Sequence, residues 1–162
     1  MKKPDFVYTT YIKSTPEKVW QALTTPEFTR QYWKYENISD WKKGSDWVHR
    51  DPNGEKGKNV FVEGKVLESS PPNRLVLSWI DPANKADESR VTFEIKLIGE
   101  LVRLDVVHGD FKADTDMPER ISGGWPRVLS GLKTLLETGK AIDIWTGHKT
   151  CSENAAVKTA VS

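Results

Sequence analysis

Cysteine occurs once, as Cys151, and histidine three times, as His49, His108 and His148. A lone thiol excludes an internal disulfide and a thiolate metal cluster, and it suits a reducing compartment. The histidines are far apart, without the paired spacing of a metal-binding helix or finger, so no metal is expected. Charge of one sign is not in surplus either: 24 lysines and arginines face 23 aspartates and glutamates, for a net charge of +1. So even a balance supplies no field to draw nucleic acid or an anionic membrane, and neither is expected as a partner. No apolar run reaches the length of a signal peptide or a membrane span, so the expectation is a soluble, untargeted, cytoplasmic protein without stable membrane association. No serine sits in a Gly-x-Ser-x-Gly elbow, and no glycine-rich loop follows a strand to cradle phosphate. No cofactor is expected.

What the chain does have is aromatic residues: seven tryptophans, four tyrosines and five phenylalanines in 162 residues. Two readings stand side by side, a bulky core and a roomy cavity walled by rings that suits flat or apolar ligands. The length fits one domain that buries a proper core. Its most informative stretch is Ile121 to Gly139, where Trp125, Leu129, Leu132 and Leu136 recur at steps of four, three and four, widened by Val128 and Leu135. That apolar stripe predicts a helix from about Trp125 to Thr138, ended by Gly139. After a run of strands, such a helix is expected to lie across the concave side of a curved antiparallel sheet, leaving room for a pocket beneath it.

Phe6 to Ile12 alternates as a strand. Pro16 suits a first helical position with Thr15 as cap, although Ser14 and Glu17 also fit a capping box, and Val19, Trp20 and Leu23 make the buried face; Thr25-Pro26-Glu27 starts a second short helix carrying Phe28, Tyr32 and Trp33. From Trp41 to Gly109 the punctuation is that of hairpins. Asp51-Pro52-Asn53-Gly54 fits a type I turn between strands at Asp46 to Arg50 and Val60 to Glu68. Pro71-Pro72-Asn73 forces a reversal before a strand at Leu75 to Ile80. Asp81 to Ser89 reads as a polar loop, and Gly54, Gly57 and Gly64 as hairpin punctuation. Val91, Phe93, Ile95 and Leu97 share a face, Gly99-Glu100 makes a two-residue turn, and Val102, Leu104, Val106 and His108 return on one face. Gly109 to Pro118 reads as a polar connector. Residues 140–162 lack a sustained apolar period and are expected to form a loosely held tail that adds little to stability beyond about Ile144.

This order of elements is that of the helix-grip fold, and several motifs resemble START-like (SRPBCC) domains. They are Ser14 to Glu27, Asp51-Pro52-Asn53-Gly54, Val62-Glu63-Gly64-Lys65-Val66, Pro71 to Trp79 and the closing Gly124-Trp125-Pro126 helix. Within that superfamily the chain looks like the bacterial branch of homologues of the heat shock protein 90 ATPase activator, over about Asp5 to Gly139. The resemblance implies an α+β helix-grip fold: a curved antiparallel sheet with two short helices and a long C-terminal helix over a deep cavity. Residues 1–139 would then be a START-like ligand-binding domain. Across the superfamily such cavities hold lipids, sterols, polyketides and other hydrophobic molecules, and a few members are cyclases or aromatases. The eukaryotic activator carries an extra chaperone-binding domain, for which 162 residues leave no room. A chaperone partner is implied by the family name and by nothing else in the sequence.

Strand parity and the helix stripe nominate cavity residues: Trp33, Trp79, Phe93, His108, Phe111 near the rim, Trp125, Leu129 and Leu132. Each has a place in the ordinary core as its competing role, and one bulge would exchange the two faces of a strand. His108, inward with Val102, Leu104 and Val106, is either a satisfied structural histidine or a polar contact that orients an apolar ligand. Glu63, Glu68 and Glu94 read as outer-face charges, not as catalytic acids. The leading expectation is a non-catalytic intracellular protein that binds a small hydrophobic or aromatic molecule. Two alternatives stay open: a cyclase- or hydratase-type enzyme using His108 with a cavity carboxylate, and a module that interacts with a chaperone or regulator.

Overall fold

The computed structural model describes residues 2–147. Its strands are β1 (Phe6–Ile12), β2 (Glu36–Ile38), β3 (Asp46–Arg50), β4 (Val60–Ser70), β5 (Arg74–Asp81), β6 (Asn84–Ile98) and β7 (Leu101–Gly109). Its helices are α1 (Pro16–Thr24), α2 (Pro26–Tyr32), α3 (Met117–Ser122) and α4 (Gly124–Thr138). The strands form one antiparallel sheet in the order β1-β7-β6-β5-β4-β3-β2. A meander thus runs from β2 to β7, and β1 closes on its last strand. The inner face of the sheet and the apolar stripe of α4 enclose the core, with Leu129 and Leu132 fully buried. This is the helix-grip arrangement.

Local chemistry explains the ends of these elements. Thr15 caps α1 through a 3.2 Å hydrogen bond from Lys18 N–H to its hydroxyl, and Pro16 and Pro26 occupy first positions where no helical N–H is needed. Gly139 ends α4 in the left-handed region at φ 76°. Gly99 and Glu100 link the Ile98–Leu101 pair, as their spacing predicts.

Four expectations need correction. Asp81 to Ser89 is not a loop: β6 begins at Asn84, and Trp79 pairs with Ser89 and Ile80 with Glu88. The inward positions there are Asp87 and Ser89, so the period of two is carried by buried polar residues that mimic a loop. Asp87 is 7% exposed and receives Thr115 Oγ1 at 2.7 Å and Arg120 Nη2 at 3.2 Å. The connector after Gly109 is likewise anchored, because Phe111, Thr115 and Met117 are buried and α3 follows. Gly64 lies within β4, not at a turn, since a Cβ there would meet the Ser78 carbonyl oxygen at 2.1 Å. Finally, the inner face of β6 stops at Ile95, and Leu97 is 59% exposed where the hairpin runs past the helices. The three-residue strand β2 lies in a stretch for which no strand was expected.

Residues 148–162, and His148 and Cys151 with them, lie outside the described residues, as does most of the expected loose tail. Its first part docks. Ile144 is 4% exposed in the core, Trp145 Nε1 donates to the Trp33 carbonyl at 3.0 Å, and Arg127 Nη1 donates to the carbonyls of Ile144 at 2.8 Å and Thr146 at 2.9 Å. Gly131 makes room for this, because a Cβ there would stand 2.5 Å from Ile144 Cγ2.

Candidate functional site

A cavity of about 410 Å³ opens between the end of α2, strands β3 to β5 and the α3–α4 corner. Trp33 and Tyr35 enter it from either side of Lys34, whose left-handed φ of 73° stops α2 and turns the chain into β2. From the sheet come His49, Phe61 and Trp79. From the other wall come Ile121, Trp125 and Val128, with Arg120 and Trp145 at the margin. The rings touch one another around the space. Centroids lie 5.6 Å apart for Trp33 and Trp125, 5.5 Å for Trp79 and Trp125, and 5.5 Å for Tyr35 and Phe61. Edge and tilted contacts of this kind hold aromatic walls in place while leaving ring faces available.

Of the residues nominated from the sequence, Trp33, Trp79 and Trp125 line this cavity. Phe93, His108, Phe111, Leu129 and Leu132 lie in the packed core behind its wall: Phe93 meets Trp125 at 5.8 Å, and Phe111 stacks on His108 at 5.2 Å, away from any rim. Trp125 is itself part of the buried wall. His108 is fully buried, and both its nitrogens are engaged. Its Nδ1 accepts from Trp125 Nε1 at 3.1 Å, which leaves Nε2–H to donate to Ser89 Oγ at 2.8 Å, and the Ser89 hydroxyl points on to the Trp79 carbonyl at 3.4 Å. This series fixes one neutral tautomer. Burial pushes the pKa of His108 down to about 3, so it carries no charge at neutral pH.

Sequence reasoning missed Tyr35, His49 and Phe61. The signal existed for His49, since Trp47 and His49 alternate inward on β3 around half-buried Val48, but that strand is only five residues long. His49 is 6% exposed, and its ring packs 4.6 Å from Trp33 and 4.9 Å from Tyr35. Its Nδ1 lies 2.6 Å from Asn37 Oδ1. The Asn37 amide has one sensible orientation: Nδ2 faces the Leu23 carbonyl at 3.5 Å, and the reverse would set two oxygens against each other. Nδ1 therefore carries the proton. Burial also pushes this histidine's pKa down to about 3. Tyr35 stays a neutral phenol, its pKa raised first by burial and then by the charge of Asp51.

Behind β2, Glu36 accepts from Arg30 Nη1 at 2.6 Å and Arg50 Nε at 2.9 Å, which ties α2 to the strands that present Tyr35 and His49. The hydrogen bond from Arg30 is the main cause of its lowered pKa. Among the described residues no group of histidine, cysteine, aspartate and glutamate side chains is placed to hold a metal ion, and no helix is long and apolar enough to cross a membrane.

Residues 13–137 match the model of a family described as Activator of Hsp90 ATPase homolog 1-like protein. No curated protein matches the chain. Among solved structures, the solution structure of the Aha1 dimer from Colwellia psychrerythraea is similar with a TM-score of 0.68 at 20% identity, over 86% of this chain and 100% of that one. Protein MLL2253 from Mesorhizobium loti gives 0.68 at 26% identity, over 82% and 96%. PFC0360w, an HSP90 activator from Plasmodium falciparum, gives 0.67 at 22% identity, over 82% and 95%.

Proposed function

We propose, for a chain that belongs to the Activator of Hsp90 ATPase homolog 1-like family and has its START-like fold, that it is a binding protein for a small, flat hydrophobic or aromatic molecule. The observation that carries this reading is the cavity of about 410 Å³ between sheet and helices, walled by Trp33, Tyr35, Phe61, Trp79 and Trp125. Its size lies in the range that buries a small organic ligand, and its lining is aromatic with few polar groups. A non-catalytic role fits the two buried histidines. The enzyme alternative pairs His108 with a cavity carboxylate, whereas His108 is bonded to Ser89 and Trp125, and His49 to the amide of Asn37.

One observation favours a second reading, that of an interaction module. Leu97, Ile98 and Leu101 lie exposed together at the β6–β7 turn, away from the cavity. The test that separates the two is an NMR titration with flat hydrophobic compounds. Saturable shifts at Trp33, His49, Trp79 and Trp125, with Leu97 to Leu101 unmoved, support the cavity; shifts confined to surface residues overturn it in favour of the interaction module.

A further inference from the structure

The cavity wall carries one polar feature that an apolar container would not need. His49 sits in the aromatic wall on β3, clamped between the rings of Trp33 and Tyr35, with the ring of Trp79 at 6.5 Å. Its Nδ1–H is committed to Asn37, and Asn37 is itself held from two sides: its amide nitrogen faces the Leu23 carbonyl, and its backbone N–H donates to Thr29 Oγ1 at 3.2 Å. These bonds settle both the tautomer and the tilt of the imidazole. The other nitrogen, Nε2, is then a bare lone pair. Among the described residues it has no hydrogen-bond partner, and it is not among the polar atoms sealed inside the protein without one. The side chain is more than nine-tenths buried, and it borders the cavity.

His108 provides the internal comparison. It is the same residue type, fully buried, and there the structure engages both nitrogens with protein groups. A buried acceptor left without a donor is destabilising, so a group that stays open next to a cavity is either hydrated or filled by what the cavity holds. Because burial keeps His49 neutral at physiological pH, Nε2 accepts a hydrogen bond there and does not offer one.

We infer that the cavity selects an aromatic molecule bearing a hydrogen-bond donor, a phenolic hydroxyl or a ring N–H, and that His49 Nε2 is the acceptor that orients it between Trp33, Tyr35 and Trp79. The inference rests on the binding reading above and gives it a substrate class. A ligand without the donor displaces any water from Nε2 and puts nothing in its place, so discrimination comes from the unpaired acceptor as much as from the bond gained.

The test compares 2-naphthol with naphthalene and 2-methoxynaphthalene, which keep the ring and lack the donor. Affinities are measured by calorimetry, and the site is located by the amide shifts of Trp33, His49 and Trp79. The wild-type protein is expected to bind 2-naphthol at least about tenfold more tightly than either analogue, and in His49→Phe that preference is expected to shrink to within about twofold. The imidazole 15N signals of the wild-type protein give a readout that does not depend on a variant folding. Nε2 is expected at the position of an unprotonated nitrogen, moving toward that of a hydrogen-bonded one with 2-naphthol and not with 2-methoxynaphthalene. Equal affinities for all three probes at the cavity, or a protonated Nε2, would overturn the donor requirement and leave the binding reading standing. Failure of every probe to move cavity residues would remove both.

Discussion

The indole Nε1 of Trp125 donates to Nδ1 of His108 across 3.1 Å, and this bond joins the first turn of α4 to the inner face of β7. The stripe on α4 brings the helix to the sheet through apolar contact, which has no direction. The hydrogen bond adds one. It continues through Ser89 Oγ to the Trp79 carbonyl, so a single neutral histidine links three strands and a helix at the back of the cavity wall.

The histidine series predicts a pH dependence with a definite sign. Both His49 and His108 have folded pKa values pushed down to about 3 from an ordinary 6.5. The unfolded chain therefore binds more protons between these values, and stability falls as pH drops from about 6.5 toward 3, by on the order of 1 kcal/mol per pH unit for each histidine. From pH 6.5 to 5.5 the carboxylates with lowered pKa values, such as Glu36 and Glu137, are ionised to about nine-tenths or more in both states, so most of the slope there belongs to the histidines. Urea unfolding of the wild type is expected to show that slope. His108→Leu is expected to lose about 2 to 4 kcal/mol at pH 7, because the Trp125 N–H is left unpaired, and to have a shallower slope over the same window. An unchanged slope would mean that His108 titrates normally in the folded protein.

Gly64→Ala is expected to destabilise by about 2 to 4 kcal/mol in chemical denaturation, since the added carbon would stand 2.1 Å from the Ser78 carbonyl oxygen, and a backbone atom has little room to yield. That oxygen already accepts from Trp47 Nε1 at 2.8 Å. Gly123→Ala serves as the control. Nothing lies within 4 Å of its added carbon, and a change of less than about half a kcal/mol is expected. Similar effects at both positions would show that the β4–β5 approach is looser than it looks.

Truncation after Asp143 is expected to lower the melting temperature by more than about 4 °C, because it removes the buried Ile144 side chain, the Trp145 contact to Trp33, and two carbonyls that receive Arg127. It also removes part of the cavity margin. A shift smaller than about 1 °C would restore the expectation of a tail without structural weight.

Much of the architecture is readable from residue order alone, because its signals are local. A proline at a first helical turn, Gly99-Glu100 between alternating strands and the steps from Trp125 to Leu136 each encode one element with short-range chemistry. The inward position of His108 follows from parity because β7 has no bulge. The site is harder to read. Asp87 and Ser89 face inward as polar residues because Thr115, Arg120 and His108 meet them, and those partners lie at least nineteen positions away in sequence. His49 owes its importance to Asn37 on a three-residue strand. Parity says which side chains point inward but not which stop at the core and which reach the cavity. That division separates Trp33, Trp79 and Trp125 from Phe93, Phe111 and Leu129, and it depends on how far α4 stands from the sheet.

The closure of β1 on β7 sets a timetable for synthesis. Phe6 pairs with His108 and Ile12 with Val102, so β1 is made before the other six strands of the sheet and waits for β7, the last of them. Each hairpin from β2 to β7 can pair with the strand just made, at small loop-closure cost, while β1 stays an unpartnered apolar ribbon through most of translation. Only after Gly109 has emerged can β1 dock, and only later does α4 arrive to cover the concave face. In the interval between these events the concave face of the sheet has no α4 over it, and its apolar side chains stay open to solvent.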